Sequence, residues 1–217
     1  MTFADLKTEV LTRAKSLELC PAYQAALIAT DRNGLLAAVS QLFIWCYQAG
    51  VVDDTLLNEF LDSELNPYGI YKGGENLTNP TTDVYYLKTG SPTVTLNGNN
   101  KCKIAVMGAV SLTLNIGDNS YADVKAFDSS HLIMSISSFS NANVEGTQDS
   151  NVSVAVNDNS FAQLILSDRV TAEYTGNDNS HGIIKGFNHS QTTYTLNDSA
   201  TIQANAYNQA SVTNTAL

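Results

Sequence analysis

Set out in rows of ten from residue 91 to residue 217, the chain keeps one register without insertion, and this periodicity constrains the fold more than any other feature. The second, fourth and sixth places of the rows are mainly apolar, as in Leu112, Leu114 and Ile116, Ala122, Val124 and Ala126, Leu132, Met134 and Ile136, and Val152, Val154 and Val156. Side chains that alternate in this way belong to strands with one covered face. The eighth place reads Asp118, Asp128, Asp158, Asp168, Asp178, Asn188, Asp198 and Asn208, and the tenth is usually Ser. Short Asx and Ser side chains bond nearby backbone and tolerate tight bends, so each row reads as a strand of about six residues and a turn of about four. Tyr174 and Tyr194 place large groups in the interior, where Gly176 and Thr192 leave room.

Strands repeated at this spacing point to a mainly β chain, a parallel β-solenoid in which each strand pairs with its equivalent one coil away. Two rows per coil is the favoured geometry, with three rows left open. A pentapeptide-repeat solenoid would also want apolar seventh or ninth places, and these hold Asn119, Asn157, Asn159, Asn177, Asn179 and Asn197. Residues 1–68 carry a different period. Phe3, Leu6, Val10, Leu11, Ala14 and Leu17 recur at helical steps through Leu19, with Thr2 and Asp5 as a cap. Pro21 opens a second helix to Ala29, which Asp31-Arg32-Asn33-Gly34 breaks; a third runs from Leu35 to Gln48, and a fourth follows Asp53 and Asp54 to Leu65. The expected organisation is a small helical cap or docking domain at 1–68, a linker and entry strand at 69–90, and the solenoid at 91–217. Phe43, Trp45 and Tyr47 are candidates for covering the first coil.

A formal charge of −10 argues against binding nucleic acid through its phosphates, which needs clustered Lys and Arg. Cys20, Cys46 and Cys102 are widely spaced and make no C-x-x-C pair, so neither a disulfide framework nor a zinc site is expected, and a reducing compartment fits best. Asp5, Lys7, Glu9, Arg13 and Lys15 interrupt what would be the apolar core of a signal peptide, and no apolar run approaches the roughly 20 residues that span a bilayer. The expected location is cytoplasmic or virion-associated.

Stretches such as YADVKAFDSS and NVSVAVNDNS resemble uncharacterised decapeptide-repeat β-solenoid proteins encoded by gut bacteria and their phages and prophages. The helical preface, with LELCPAYQAAL and TDRNGL, looks like the segment preceding the repeats in some of them. The resemblance implies the solenoid fold and a mobile-element setting, and supplies no catalytic motif.

No catalytic site, metal or cofactor is expected. A serine hydrolase would draw its base from His131, His181 or His189; all three fall at or beside turns, where solvated histidines are the simpler reading, although Asp178 is near enough for a cluster. With two rows per coil, Asp118, Asp158, Asp178 and Asp198 form an acidic turn ridge interrupted by Ser138, open to calcium but explained by turn formation alone. The same geometry gathers Thr93, Thr95, Thr113, Asn115, Ser135, Ser153, Thr175, Thr193, Thr195, Thr213 and Thr215 on one nearly uncharged face, the candidate interaction surface, interrupted by Ile133, Ala155 and Glu173. The other face carries Lys103, Asp123, Lys125, Asn143, Glu145, Gln163, Lys185, Gln203 and Asn205. These features suggest a non-catalytic structural or interaction protein that binds a protein partner or associates with itself through its C-terminal coil, whose strand edges invite pairing. The alternatives are an acidic mimic of nucleic acid that inhibits a DNA-binding protein, and a solenoid that binds polysaccharide or ice. Residues 91–217 hold ten acids against five bases, a net of −5 placed mostly at turns, which disfavours mimicry.

Overall fold

The computed structural model describes residues 1–17 and 21–215, and the chain divides into two compact units, Met1–Ile70 and Tyr71–Leu217. In the first unit α1 (Phe3–Arg13) starts at a capping box: the Asp5 amide donates to Thr2 Oγ1 at 3.2 Å and the Thr2 amide to Asp5 Oδ2 at 3.1 Å. A 3-10 turn, Ala14–Leu17, ends it sooner than the apolar spacing predicts; the rest of the expected helix, to Leu19, lies outside the described residues. After α2 (Pro21–Ile28), the Asp-Arg-Asn-Gly cluster opens the next helix as well as closing the previous one. Asp31 Oδ1 accepts the Gly34 amide at 2.7 Å and so caps α3 (Arg32–Ser40). The helix expected from Leu35 to Gln48 is broken between Ser40 and Phe43, where α4 (Phe43–Gln48) begins; Ser40 Oγ turns back to the Ala37 carbonyl at 3.1 Å, a local bond that competes with the helical ladder. Likewise the fourth expected helix is two single turns, Asp54–Leu57 and Asp62–Leu65; Asp53 Oδ1 accepts the Leu56 amide at the first, and Glu64 Oε2 reaches back to the Leu61 amide at the second.

The second unit is a parallel β-solenoid with two strands per coil. One sheet runs through Val84–Tyr86, Lys101–Val106, Tyr121–Ala126, Asn141–Gly146, Phe161–Leu166, His181–Gly186 and Thr201–Ala206. The other runs through Leu77–Thr78, Thr93–Leu96, Ala109–Ile116, His131–Ile136, Asn151–Val156, Thr171–Gly176, Gln191–Leu196 and Ser211–Asn214. Leu77 and Thr78 pair with Val94 and Thr95, 17 residues on, and all later partners stand 20 residues apart, as in Val144 beside Leu164 and Val154 beside Tyr174. Val84, Tyr85 and Tyr86, within the stretch read as linker and entry strand, already pair with Ile104, Ala105 and Val106. Between the sheets, the second, fourth and sixth places form one continuous core, and Val124, Leu132, Ala142, Val152 and Leu164 are wholly buried. Each such aliphatic side chain contributes about 1.5–3 kcal/mol by leaving water.

The turns explain the eighth place. From Lys88 to Asn208 every residue there has positive φ, 54° at Asp118, 56° at Asp158 and 59° at Asn208, in the left-handed region that Asp, Asn and Gly enter at least cost. The tenth place differs from expectation. Only Ser120 bonds as anticipated, its Oγ accepting the Asn100 amide at 3.2 Å. Ser130, Ser140, Ser150, Ser160, Ser180 and Ser190 point into the core with buried hydroxyls that find no protein partner. This corner selects small volume, as Ala200 and Ala210 in the same place indicate. An unsatisfied buried hydroxyl costs about 1–3 kcal/mol. Ser160→Ala is therefore expected to keep or raise the melting temperature, and a loss of stability in thermal unfolding would show that the hydroxyl is bonded.

Candidate interaction surface

The two-strand coil brings all eleven residues of the neutral face onto one sheet. Thr93, Thr113, Ile133, Ser153, Glu173, Thr193 and Thr213 stand in register in one column. Thr95, Asn115, Ser135, Ala155, Thr175 and Thr195 form the second, which Thr215 extends: its amide donates to the Tyr194 carbonyl, and its Oγ1 lies 2.9 Å from that of Thr195. Parallel pairing fixes the spacing along each column at about 4.8 Å, and the two columns at about 7 Å, so the face is a planar lattice of short polar groups. Glu173 is the one charge on these two columns. Ile133, 41% exposed, is the one large apolar group there.

The opposite sheet is mixed. Lys125 Nζ meets Glu145 Oε2 at 2.7 Å, and Asn143 Nδ2 donates to the Tyr121 hydroxyl at 2.7 Å. Sequence reasoning treated this side as polar and passed over Phe161, Ile165 and Ile183, which occupy outward places on adjacent strands; Ile165 is 38% exposed. Their odd-numbered places were the available signal.

Asp118, Asp158, Asp178 and Asp198 do line one edge, with Ser138 between the first two. The carboxylates reach back one coil: Asp158 Oδ2 accepts the Ser138 amide at 3.0 Å, and Asp178 Oδ2 accepts the Asp158 amide at 3.2 Å. On the other edge Asp128 and Asp168 do the same for the Gly108 and Gln148 amides. Among the described residues no group of three His, Cys, Asp or Glu side chains is arranged to hold a metal ion. His181 Nδ1 lies 2.6 Å from Thr201 Oγ1, one coil later. A shallow groove on the second edge, lined by Asp128, Gln148, Asp168 and Ser129, contains Arg169 clamped in two parallel bonds to Asp149, at 2.6 and 2.7 Å. The guanidinium holds the Asp149 carboxyl below the ordinary carboxylate range.

A ladder that sequence reasoning missed runs beside the ridge. Asn197 Nδ2 donates to Asn177 Oδ1 and Asn177 Nδ2 to Asn157 Oδ1, both at 2.8 Å. The seventh places of the opposite edge instead stack Phe187 on Tyr207, with centroids 4.9 Å apart and rings 12° from parallel. No helix among the described residues is long and apolar enough to cross a membrane. Compared with known proteins, the chain matches no family model, no curated protein and no solved structure.

Proposed function

We propose that the chain is a non-catalytic structural or interaction protein, of the phage or prophage setting that its repeats suggest, in which the solenoid holds the neutral face rigid for a protein partner. The observation that supports this reading is the in-register double column of Thr, Ser and Asn. Its flatness and near absence of charge make it cheap to desolvate, and parallel pairing has already ordered it, so a partner forfeits little in entropy. The test replaces Thr113, Thr175 and Thr193 with Lys, and in a control replaces Asn143, Gln163 and Gln203 with Lys. A protein retained from host extract by the natural chain and by the control, but lost about tenfold or more with the threonine-face variant, supports the reading. Equal retention by all three, or retention of nothing, overturns it.

Self-association is the second reading. In the coil from Gln191 to Asn214 the inward Leu196, Ile202 and Val212 are only half-buried, and Thr201–Ala206 and Ser211–Asn214 are the outermost strands of their sheets. Strands from a second copy added there would bury both the apolar groups and the open backbone edge. A monomeric mass in light scattering at high concentration counts against it.

A further inference from the structure

Two Asn-Gly pairs occur in the sequence, Asn33-Gly34 and Asn97-Gly98, and the fold treats them in opposite ways. Gly34 lies in the first turn of α3; its amide donates to Asp31 Oδ1 at 2.7 Å, and a Cβ placed on it would meet that oxygen at 3.3 Å and the Ala29 Cβ at 3.5 Å. The second pair sits at the corner between Thr93–Leu96 and Lys101–Val106. Asn97, Gly98 and Asn99 are all exposed, and nothing lies within 4 Å of a Cβ built on Gly98. Equivalent amides at Gly108, Asp128, Ser138, Gln148 and Asp158 each donate to a side chain one coil later. Among the described residues nothing accepts the Gly98 amide, and nothing bonds the Asn97 side chain.

We propose that Asn97 is a site of spontaneous deamidation, and that Asn33 is protected by its helix cap. The Gly98 backbone nitrogen attacks Cγ of Asn97. A nitrogen–carbon bond forms, the side-chain nitrogen leaves as ammonia with the amide proton, and a five-membered succinimide results. Water then opens either carbonyl, giving aspartate or isoaspartate, so one water is consumed and one ammonia released with no redox partner. Glycine favours the step because it has no side chain to shield its nitrogen. Exposed turn asparagines at 119, 159 and 179 are held back by the fold, because the Ser120, Ser160 and Ser180 amides that follow them donate to the carbonyls of Gly117, Asn157 and Asn177, and no other asparagine in the solenoid is followed by glycine. The Asn100 amide after Asn99 is bonded to Ser120 Oγ. Reaction at Asn97 adds a negative charge, and the isoaspartate form inserts a methylene into the main chain, at a turn where the Asn97 amide is bonded to Asn79 Oδ1 at 2.7 Å.

The experiment incubates the folded full chain at mildly alkaline pH and body temperature and maps its peptides by mass. The peptide containing Asn97 is expected to become one mass unit heavier and to accept methyl from an isoaspartyl methyltransferase, at a rate at least about tenfold above the peptide containing Asn33. In guanidinium, where neither cap nor turn survives, the two rates are expected to converge, and Asn97→Gln abolishes the native signal. Equal native rates, faster reaction at Asn33, or an unmodified Asn97 would each overturn the proposal.

Discussion

Gly182→Val is expected to destabilise the solenoid by about 3 kcal/mol or more, lowering the melting temperature by roughly 10 °C, while the same substitution in a Tyr174→Val background costs far less. A Cβ on Gly182 would lie 2.5 Å from the Tyr174 hydroxyl oxygen and 2.7 Å from its Cζ. The phenol cannot swing aside, because Tyr174 is 1% exposed and sealed between the sheets. Tyr174→Val alone leaves a cavity and is itself costly, by about 3 kcal/mol. What decides the question is the coupling: thermal unfolding of the two single variants and the double variant should give an interaction of about 2 kcal/mol in favour of the double. Additive losses would mean that the ring does not occupy the space over Gly182.

That pair also marks where the repeat stops being informative. Strand positions, inward places and the gathering of eleven neutral residues onto one face were legible because each depends only on residues 20 apart, which the row register fixes. Tyr174 was matched in sequence to Gly176, yet its small neighbour is Gly182 on the other sheet. Which side chains meet across the interior depends on how the two sheets are staggered, and a ten-residue register carries no information on that. The eighth place was read as a turn signal. Its left-handed φ gives that reading its physical basis, and accounts for Asp, Asn and Gly exchanging there while Ser138 and Gln148 are tolerated. Serine at the tenth place was misread because a small residue at a corner looks the same whether its hydroxyl bonds backbone or merely fits. The helical unit was less legible: Ser40 bonds back to the Ala37 carbonyl and Glu64 accepts the Leu61 amide, local bonds at the points where helices that the apolar spacing alone would have kept continuous are divided.

Raising the pH should unfold the solenoid cooperatively somewhere between about pH 10 and 12, because several buried acids are neutral in the fold and charged outside it. Burial pushes the Tyr85 phenol and the Cys102 thiol up to about 12, with Asp83 adding to both, and pushes Tyr86 up further still. Tyr174 is likewise raised to about 12 by burial; a nearby Ser180 hydroxyl opposes the shift, but neither hydroxyl has a geometrically formed hydrogen bond. The ordinary values are 10.0 for tyrosine and 9.0 for cysteine. With folded values above unfolded ones, the stabilisation is complete below about pH 9 and is lost as pH rises through the folded values, at about 1.4 kcal/mol per pH unit for each group. Four such groups titrating together remove an amount comparable with an ordinary domain stability of about 5–15 kcal/mol by about pH 12. Circular dichroism and the tyrosinate absorbance of the buried phenols should therefore change in one concerted step, and Tyr174→Phe, which removes one titrating group, should move its midpoint upward. Tyrosinate formation by all ten tyrosines near pH 10 with the β signal intact would show that these phenols are open to water.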